Sequence, residues 1–527
     1  LAGKQLETQD SSWLISKGDL NVSDLSLADS TLFSYETQIT ANNINSRDSK
    51  YYAEKLTLNI AETLSSIDDH WKILPFSDQT EVTDAGSFNI TADKIQLSGS
   101  IVQTDKYEQQ AKETVFTNTG IAANTLDIKT DTLLTDADTL WIANNRIDIA
   151  AQQAQLNGTI KTTNINLASE NSELSGQWLV SDTATIDVEK ALNLNNIGVS
   201  AQALITSFET GTWDNLIVKT QNSNVSASNN LILIKATLES ETLIIDAEQL
   251  QTDTDSWLGA NEMRIDSDVL TNNGILLAAS ELELNSRQID NSGEIASFEA
   301  ININNEETLT NEGRIIANDL LISTNELINN KSIGSQNLEL VYQNVTNSSE
   351  AVLSSQNAVY KAKTNTASFT NYGTQIASDS MSWLTLEDSS GSFANAGLLS
   401  GTQVEFTGLT TVQNGLLIDG DIKGTIQALT NSDNNIEGTL TIGAEEFTQH
   451  GIIEANQVSI IRDDFHNEGS IYSDQFTANT TTEFTNSGEI GAQTVDVTTA
   501  KLTNNASATI SATNTNISNA NIINAGE

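Results

Sequence analysis

Phe484-Thr485-Asn486-Ser487-Gly488 is the stretch on which the fold turns, because it recurs. The pattern apolar-x-Asn-x-Gly returns at Leu270–Gly274, Ile289–Gly293, Leu309–Gly313, Phe369–Gly373, Phe393–Gly397 and Phe465–Gly469. Phe447–Gly451 repeats it with Gln449 in the Asn place, and Gly526 follows Asn524. Weaker copies put Lys331, Ser349, Asp433 and Ala506 in the glycine slot, and Gly415 follows Asn414. The thirteen steps from Gly274 to Gly526 average about 19 residues, a period typical of a repeat array. The two longest steps, ending at Gly373 and Gly397, read as repeats carrying a short loop insertion.

Upstream the register degrades. Phe116–Gly120 is a full copy, Leu134–Asp138 has Asp for both Asn and Gly, and Gly158, Gly176 and Thr252–Asp255 continue it. Before Gly120 the spacing breaks down, with Gly86 and Gly99 too close together for one repeat. Three regions follow: 1–115, an irregular β region serving as cap or receptor-contacting part; 116–251, degenerate coils; and 252–527, regular repeats.

Within a repeat such as Gly313–Ser323, apolar pieces of three or four residues alternate with polar turns, β-branched residues abound, and no helical period persists. A unit this short cannot close a core, but stacked copies can, each strand pairing in parallel with its copy one coil on. The expected fold is all-β: a right-handed parallel β-helix, or solenoid, with about 19 residues per coil. Dividing 527 residues by that period gives about 28 coils. The structural turn residues are Asn118, Gly120, Asn291, Gly293, Asn311, Gly313, Asn371, Gly373, Asn395, Gly397, Asn467, Gly469, Asn486 and Gly488. Glycine is expected to supply a positive φ there, and asparagine to hydrogen-bond the asparagine of the next coil in a ladder. Two residues past the slot, Ile295, Ile315, Ile333, Leu417, Ile453, Ile471 and Ile490 read as inward positions.

Composition narrows the function. Lys plus Arg is 24 against 70 Asp plus Glu, a net charge of −46. That argues against nucleic acid and other polyanions, which need a basic footprint. Cysteine is absent, so there is neither a disulfide framework nor a thiolate metal site. Pro75 is the one proline, and no long apolar run offers a membrane span.

Asn291-Ser292-Gly293-Glu294-Ile295-Ala296-Ser297 and Asn311-Glu312-Gly313-Arg314-Ile315-Ile316-Ala317 resemble filamentous-haemagglutinin repeats, with Asn-x-Gly-x-Ile-x-small at about 19 residues. The resemblance covers about half the chain well and another quarter loosely. Such repeats build the shafts of exoproteins secreted by the bacterial two-partner pathway: adhesins, haemolysins and contact-dependent growth-inhibition effectors. The resemblance implies passage through an outer-membrane transporter, an extracellular place on the bacterial surface, and a target-cell surface protein or neutral glycan as partner. The family's Asn-Pro secretion motifs and a toxin domain are not recognisable. Residue 1 is Leu with no signal-peptide pattern, and Asn524–Glu527 opens a coil without completing it, so an internal piece of a larger protein is expected.

Catalytic chemistry is sparse. His450 and His466 fall at the same coil edge one repeat apart, and His70 follows Asp68-Asp69 and precedes Trp71. Asp463-Asp464 and Asp68-Asp69 are adjacent carboxylates, which on a strand point to opposite faces. The chain therefore reads as a non-enzyme without a cofactor, its acidic surface attracting divalent cations only loosely. Trp178 and Trp257 lie two past a slot and Trp141 three past, and read as core; a surface aromatic row for sugars or a protein is the other reading. Trp13, Trp71, Trp213 and Trp383 have no assignable face. The expected role is a β-helical shaft segment that projects, or contributes to, receptor binding. The alternative is a polysaccharide-degrading β-helix enzyme or phage tailspike, marked by a carboxylate cluster in a groove.

Overall fold

In the computed structural model, described here for residues 2–76, 86–364, 366–385, 391–395, 397–406, 411–414, 425–428, 439–442, 446–449, 452–518 and 521–527, the described residues form strands and turns without a helix. The strands pair in parallel as a β-solenoid of about 23 turns, roughly 19 residues apart. Contacts divide the chain into two units, Leu1–Ala260 and Asn261–Glu527.

In the first unit a single bent strand makes up nearly a whole coil. Ser12–Ala28 pairs in register with Thr31–Arg47, and Thr31–Arg47 with Lys50–Ile67, each one coil on. Successive side chains alternate between core and solvent, as a strand requires. In-register pairing therefore puts like on like: Leu25, Ile44, Leu64 and Ile95 form one buried column. One coil cannot bury its own inner face, so columns of this kind hold the stack together.

Residues 1–115 are thus not an irregular region. Their coils are punctuated by aspartate, which the glycine spacing could not register. Asp10, Asp29, Asp48 and Asp68 stack at one corner with φ of 50°, 48°, 53° and 54°, and Gly99 and Asn118 continue the row at 61° and 47°. Asp and Asn tolerate this left-handed backbone better than other non-glycine residues. Each backbone N–H in the row from Asp10 to Gly99 reaches a carbonyl of the next coil at 2.8 to 3.2 Å. The departure from regular spacing is one insertion: His70 pairs with Ile101, well beyond an ordinary coil, because the chain leaves the coil after Ile73 and rejoins at Ser87.

In the second unit some coils remain one strand, as in Ile275–Asn291 and Ser470–Asn486, and others split into two, as in Arg314–Ser323 and Glu326–Asn329. The two long steps are confirmed, since Val345 pairs with Phe369 and Phe369 with Phe393. Asp433, taken as a glycine slot, lies outside the described residues. Asn414 pairs directly with Gln449, so one coil stands where spacing gave two. Insertions of this kind lower the count from the sequence-based figure to about 23.

Candidate functional site

The repeat-turn residues of the second unit converge on one line. Asn272, Asn291, Asn311, Asn329, Asn347, Asn371 and Asn395 are buried and stacked. Nδ2 of each donates to Oδ1 of the next at 2.7 or 2.8 Å. A second run links Asn467, Asn486, Asn504 and Asn524 at 2.8 to 2.9 Å. The same Nδ2 groups reach backbone carbonyls of the turn one coil on, such as Asn311 to Ser332 at 3.1 Å. The ladder therefore also satisfies part-buried carbonyls of the turns. Ile295, Ile315, Ile333, Ile453, Ile471 and Ile490 point inward and are fully buried; Leu417 lies outside the described residues.

The turn glycines serve a different purpose from the one expected. Gly293, Gly313, Gly373, Gly397 and Gly488 do not adopt the left-handed φ. A Cβ on Gly293 would strike the Gly274 carbonyl oxygen, on Gly313 that of Gly293, on Gly397 that of Gly373, and on Gly488 that of Gly469. Glycine is required because stacked turns touch backbone to backbone. Positive φ belongs instead to Gly86, Gly99, Gly158 and Gly176.

Asn118 and Gly120 are corrected outright. Thr117 pairs with Ser98, so Asn118 continues the corner row of Asp68 and Gly99. It is exposed at φ 47°, and its N–H goes to the Asp136 carboxylate at 2.9 Å. Gly120 opens the strand Gly120–Thr135 with open space where a Cβ would be. The local pattern matched, but Phe116 sits in the buried column of Leu97 and the Asn118 side chain joins no Asn ladder.

Gln449 interrupts the ladder. Its Nε2 donates to the Ser470 carbonyl at 3.3 Å, and Oδ1 of Asn467 is left buried with no hydrogen-bond partner. One extra methylene carries the amide past its neighbour.

The candidate catalytic groups stay apart. His466 is exposed, with Nε2 2.8 Å from the Ser487 hydroxyl and Nδ1 3.6 Å from Glu468; His450 lies outside the described residues. Asp463 accepts from the Thr481 hydroxyl at 2.6 Å on the exposed face. Among the described residues no group of three or more His, Cys, Asp or Glu side chains is arranged to hold a metal ion. Trp141 and Trp178 are core, joined by Trp71, Trp213 and Trp383. Trp257 is only half-buried, its ring lying over Gly259.

Two features of the first unit escaped the sequence reading. Asp69 is buried in the row after the corner, where Ser30, Ser49, Ser100 and Thr119 stand in other coils. It accepts from the Ser49 N–H at 2.8 Å and the Ser66 hydroxyl at 2.6 Å, and Trp71 Nε1 donates to Ser66 at 3.1 Å. Burial pushes the Asp69 carboxyl up to about 6, against the pull of those hydrogen bonds.

The second feature is an exposed apolar stripe. Leu14 pairs with Phe33 and Phe33 with Tyr52, all on the outer face. Leu14 is 85% exposed and Phe33 42%, with the Phe33 ring stacked on Tyr52 at 4.9 Å. Tyr35 and Phe76, about half exposed, meet edge to face at 5.5 Å beside them. Glu36 lies along this face, 2.5 Å from Lys17 and 3.8 Å from Lys55, and the Lys17 hydrogen bond lowers its carboxyl pKa. An apolar centre with a charged rim is the composition of a contact surface. Its residues are scattered over 14–76 and meet only through the coil register.

Compared with known proteins, the chain matches no family model, no curated protein and no solved structure. Among the described residues no helix is long and apolar enough to cross a membrane.

Proposed function

We propose that this chain is an extracellular β-helical shaft segment of a large secreted bacterial adhesin or contact-dependent inhibition effector, carried out through an outer-membrane transporter. The observation that carries the reading is the Asn ladder with its glycine-tight turns, a device for repeating one coil many times. It supports a scaffold role over chemistry, and the repeat resemblance supports the family. The stripe around Leu14, Phe33 and Tyr35 supports contact with a surface protein of the target cell. The test is binding of the labelled chain to bacteria, to strains lacking single outer-membrane proteins, and to animal cells. Saturable binding that weakens at least tenfold in Leu14→Asp/Phe33→Ser supports the reading. Absence of saturable binding to any cell refutes a target-contacting role for this segment.

A further inference from the structure

The first unit does not spread its acids evenly. On one sheet its coils turn two rows of side chains outward, His70 to Trp257 in one and Lys72 to Gly259 in the other, each residue stacked on its counterpart one coil on. Glu239 is the one acidic residue in either row, in a chain that has 70, and it pairs with Lys219 at 2.9 Å. The next sheet of the same coils is built differently. Glu108, Asp127 and Asp148 stack directly there, each beside a base at 2.7 to 3.6 Å.

In the first row large and small side chains alternate coil by coil from Ile101 on. Ile101, Leu140, Gln177, Ile217 and Trp257 project, and Gly120, Thr159, Gly198 and Thr237 lie between them. Ile101, Leu140 and Ile217 are exposed, and a Cβ placed on Gly120 would meet nothing within 4 Å. Such a row is complementary to itself once inverted. With a two-fold axis between Thr159 and Gln177, Ile217 of one copy falls on Gly120 of the other, Leu140 on Gly198 and Ile101 on Thr237, while His70 meets Trp257. The Gln177 carboxamide leans over Gly198 and has to turn aside, as a long exposed side chain can. In the second row the same operation sets Ile142 against Ser200, Lys219 against Ala122, Leu179 against the Lys161 stem and Glu239 against Gln103. No like charges are set opposite one another.

We infer that this strip pairs the chain with a second, antiparallel copy of itself. Two chains of net charge −46 repel one another, so they can meet closely where acids are missing. The projecting Ile101, Leu140 and Ile217 side chains then leave water on seating in the other copy's notches. At ~4.8 Å per coil the rows run about 43 Å from His70 to Trp257, and with outward residues ~6.8 Å apart the strip is about 13 Å wide. That is about 560 Å² per copy and about 1,100 Å² in all, the size of a weak, reversible pair. Leu14 and Phe33 lie outside the strip, so the pairing does not depend on the target-contacting stripe.

The test is sedimentation equilibrium of the full chain from about 1 to about 300 µM, at physiological salt and at roughly three times that ionic strength. A reversible monomer–dimer equilibrium is expected, at least threefold tighter at the higher salt, which screens the repulsion between the two acidic chains. Gly120→Leu fills the notch and should weaken pairing at least tenfold although it adds apolar surface, while its circular dichroism and melting temperature stay as in the parent. Ile217→Glu should weaken pairing as much, and Leu14→Asp/Phe33→Ser should leave it unchanged. In this cysteine-free chain a short bismaleimide should join copies of Thr159→Cys, beside the two-fold axis, and not copies of Ile101→Cys, toward the end of the strip. A chain that stays monomeric at every concentration overturns the inference. So does association that runs past the dimer, pairing that Gly120→Leu leaves intact, or crosslinking through Ile101→Cys instead of Thr159→Cys. None of these outcomes bears on the cell-binding test, whose variants lie outside the strip.

Discussion

Replacing Asn329 by alanine tests the ladder at its middle. Asn329 donates to Asn347 Oδ1 at 2.8 Å and to the Val352 carbonyl at 3.3 Å, and accepts from Asn311 at 2.8 Å. Alanine deletes all three. Asn311 keeps its bond to the Ser332 carbonyl at 3.1 Å, so its donor is not stranded. Asn347 Oδ1 loses its donor in the buried line, and the part-buried Val352 carbonyl loses a partner as well. At ~1 kcal/mol per hydrogen bond, and more for each buried acceptor left unmade, the loss is about 3–5 kcal/mol. In a coil stack this loss is local, because each repeat is held by its neighbours. Hydrogen exchange should therefore accelerate by at least a hundredfold in peptides spanning 309–352 and much less in the first unit. Asn337→Ala, which removes two exposed bonds, one to Asp319 and one from Asn357, is the comparison and should cost under ~0.5 kcal/mol. Equal exchange in the two variants would show that the buried carboxamides contribute no more than a surface pair, and the ladder argument would fail.

Other substitutions probe the remaining features. Gln449→Asn should stabilise its coils by about 1 kcal/mol in urea unfolding, by giving Asn467 Oδ1 a donor. Gly313→Ala should cost more than ~3 kcal/mol through its clash with the Gly293 carbonyl, whereas Gly120→Ala should be neutral or slightly stabilising. Lys235→Gly should gain roughly 1 kcal/mol, since lysine holds a φ of 48° there. Asp69 makes the first unit more stable in mild acid. Its folded pKa of about 6 lies above the ordinary carboxylate value, so the fold favours the neutral form, and stability rises as pH falls from about 6 toward 4. Of a full span of about 3 kcal/mol, about 2 kcal/mol falls between pH 7.5 and 4.5, and Asp69→Ser should abolish it; denaturant unfolding followed by tryptophan fluorescence at those two pH values reads both.

The periodic half was legible because its punctuation is doubled. Asn and Gly recur together, and an inward isoleucine follows two residues on, so register could be counted through weak copies such as Lys331. The first unit hid its period in a left-handed aspartate followed by a small polar residue, as in Asp29-Ser30 and Asp48-Ser49. In an acid- and serine-rich chain such dipeptides look like background. The misplacement of Asn118 has the same origin: a turn can call for a left-handed residue or for a buried carboxamide, and Asn suits both. The stripe was invisible for a further reason. Leu14, Phe33 and Tyr52 are ordinary singly and become a surface only once successive coils are laid over one another.

Every ladder amide donates in the same chain direction, from Asn272 toward Asn395 and from Asn467 toward Asn524. Each rung accepts any rung that follows it. A coil docked one place too far along would find the same carboxamide waiting, and the ladder alone could not tell the difference. The odd-sized coils before Asn371 and Asn395 and the Gln449 rung break that degeneracy. In a chain of near-identical turns, the places where the pattern lapses are the ones that let it count.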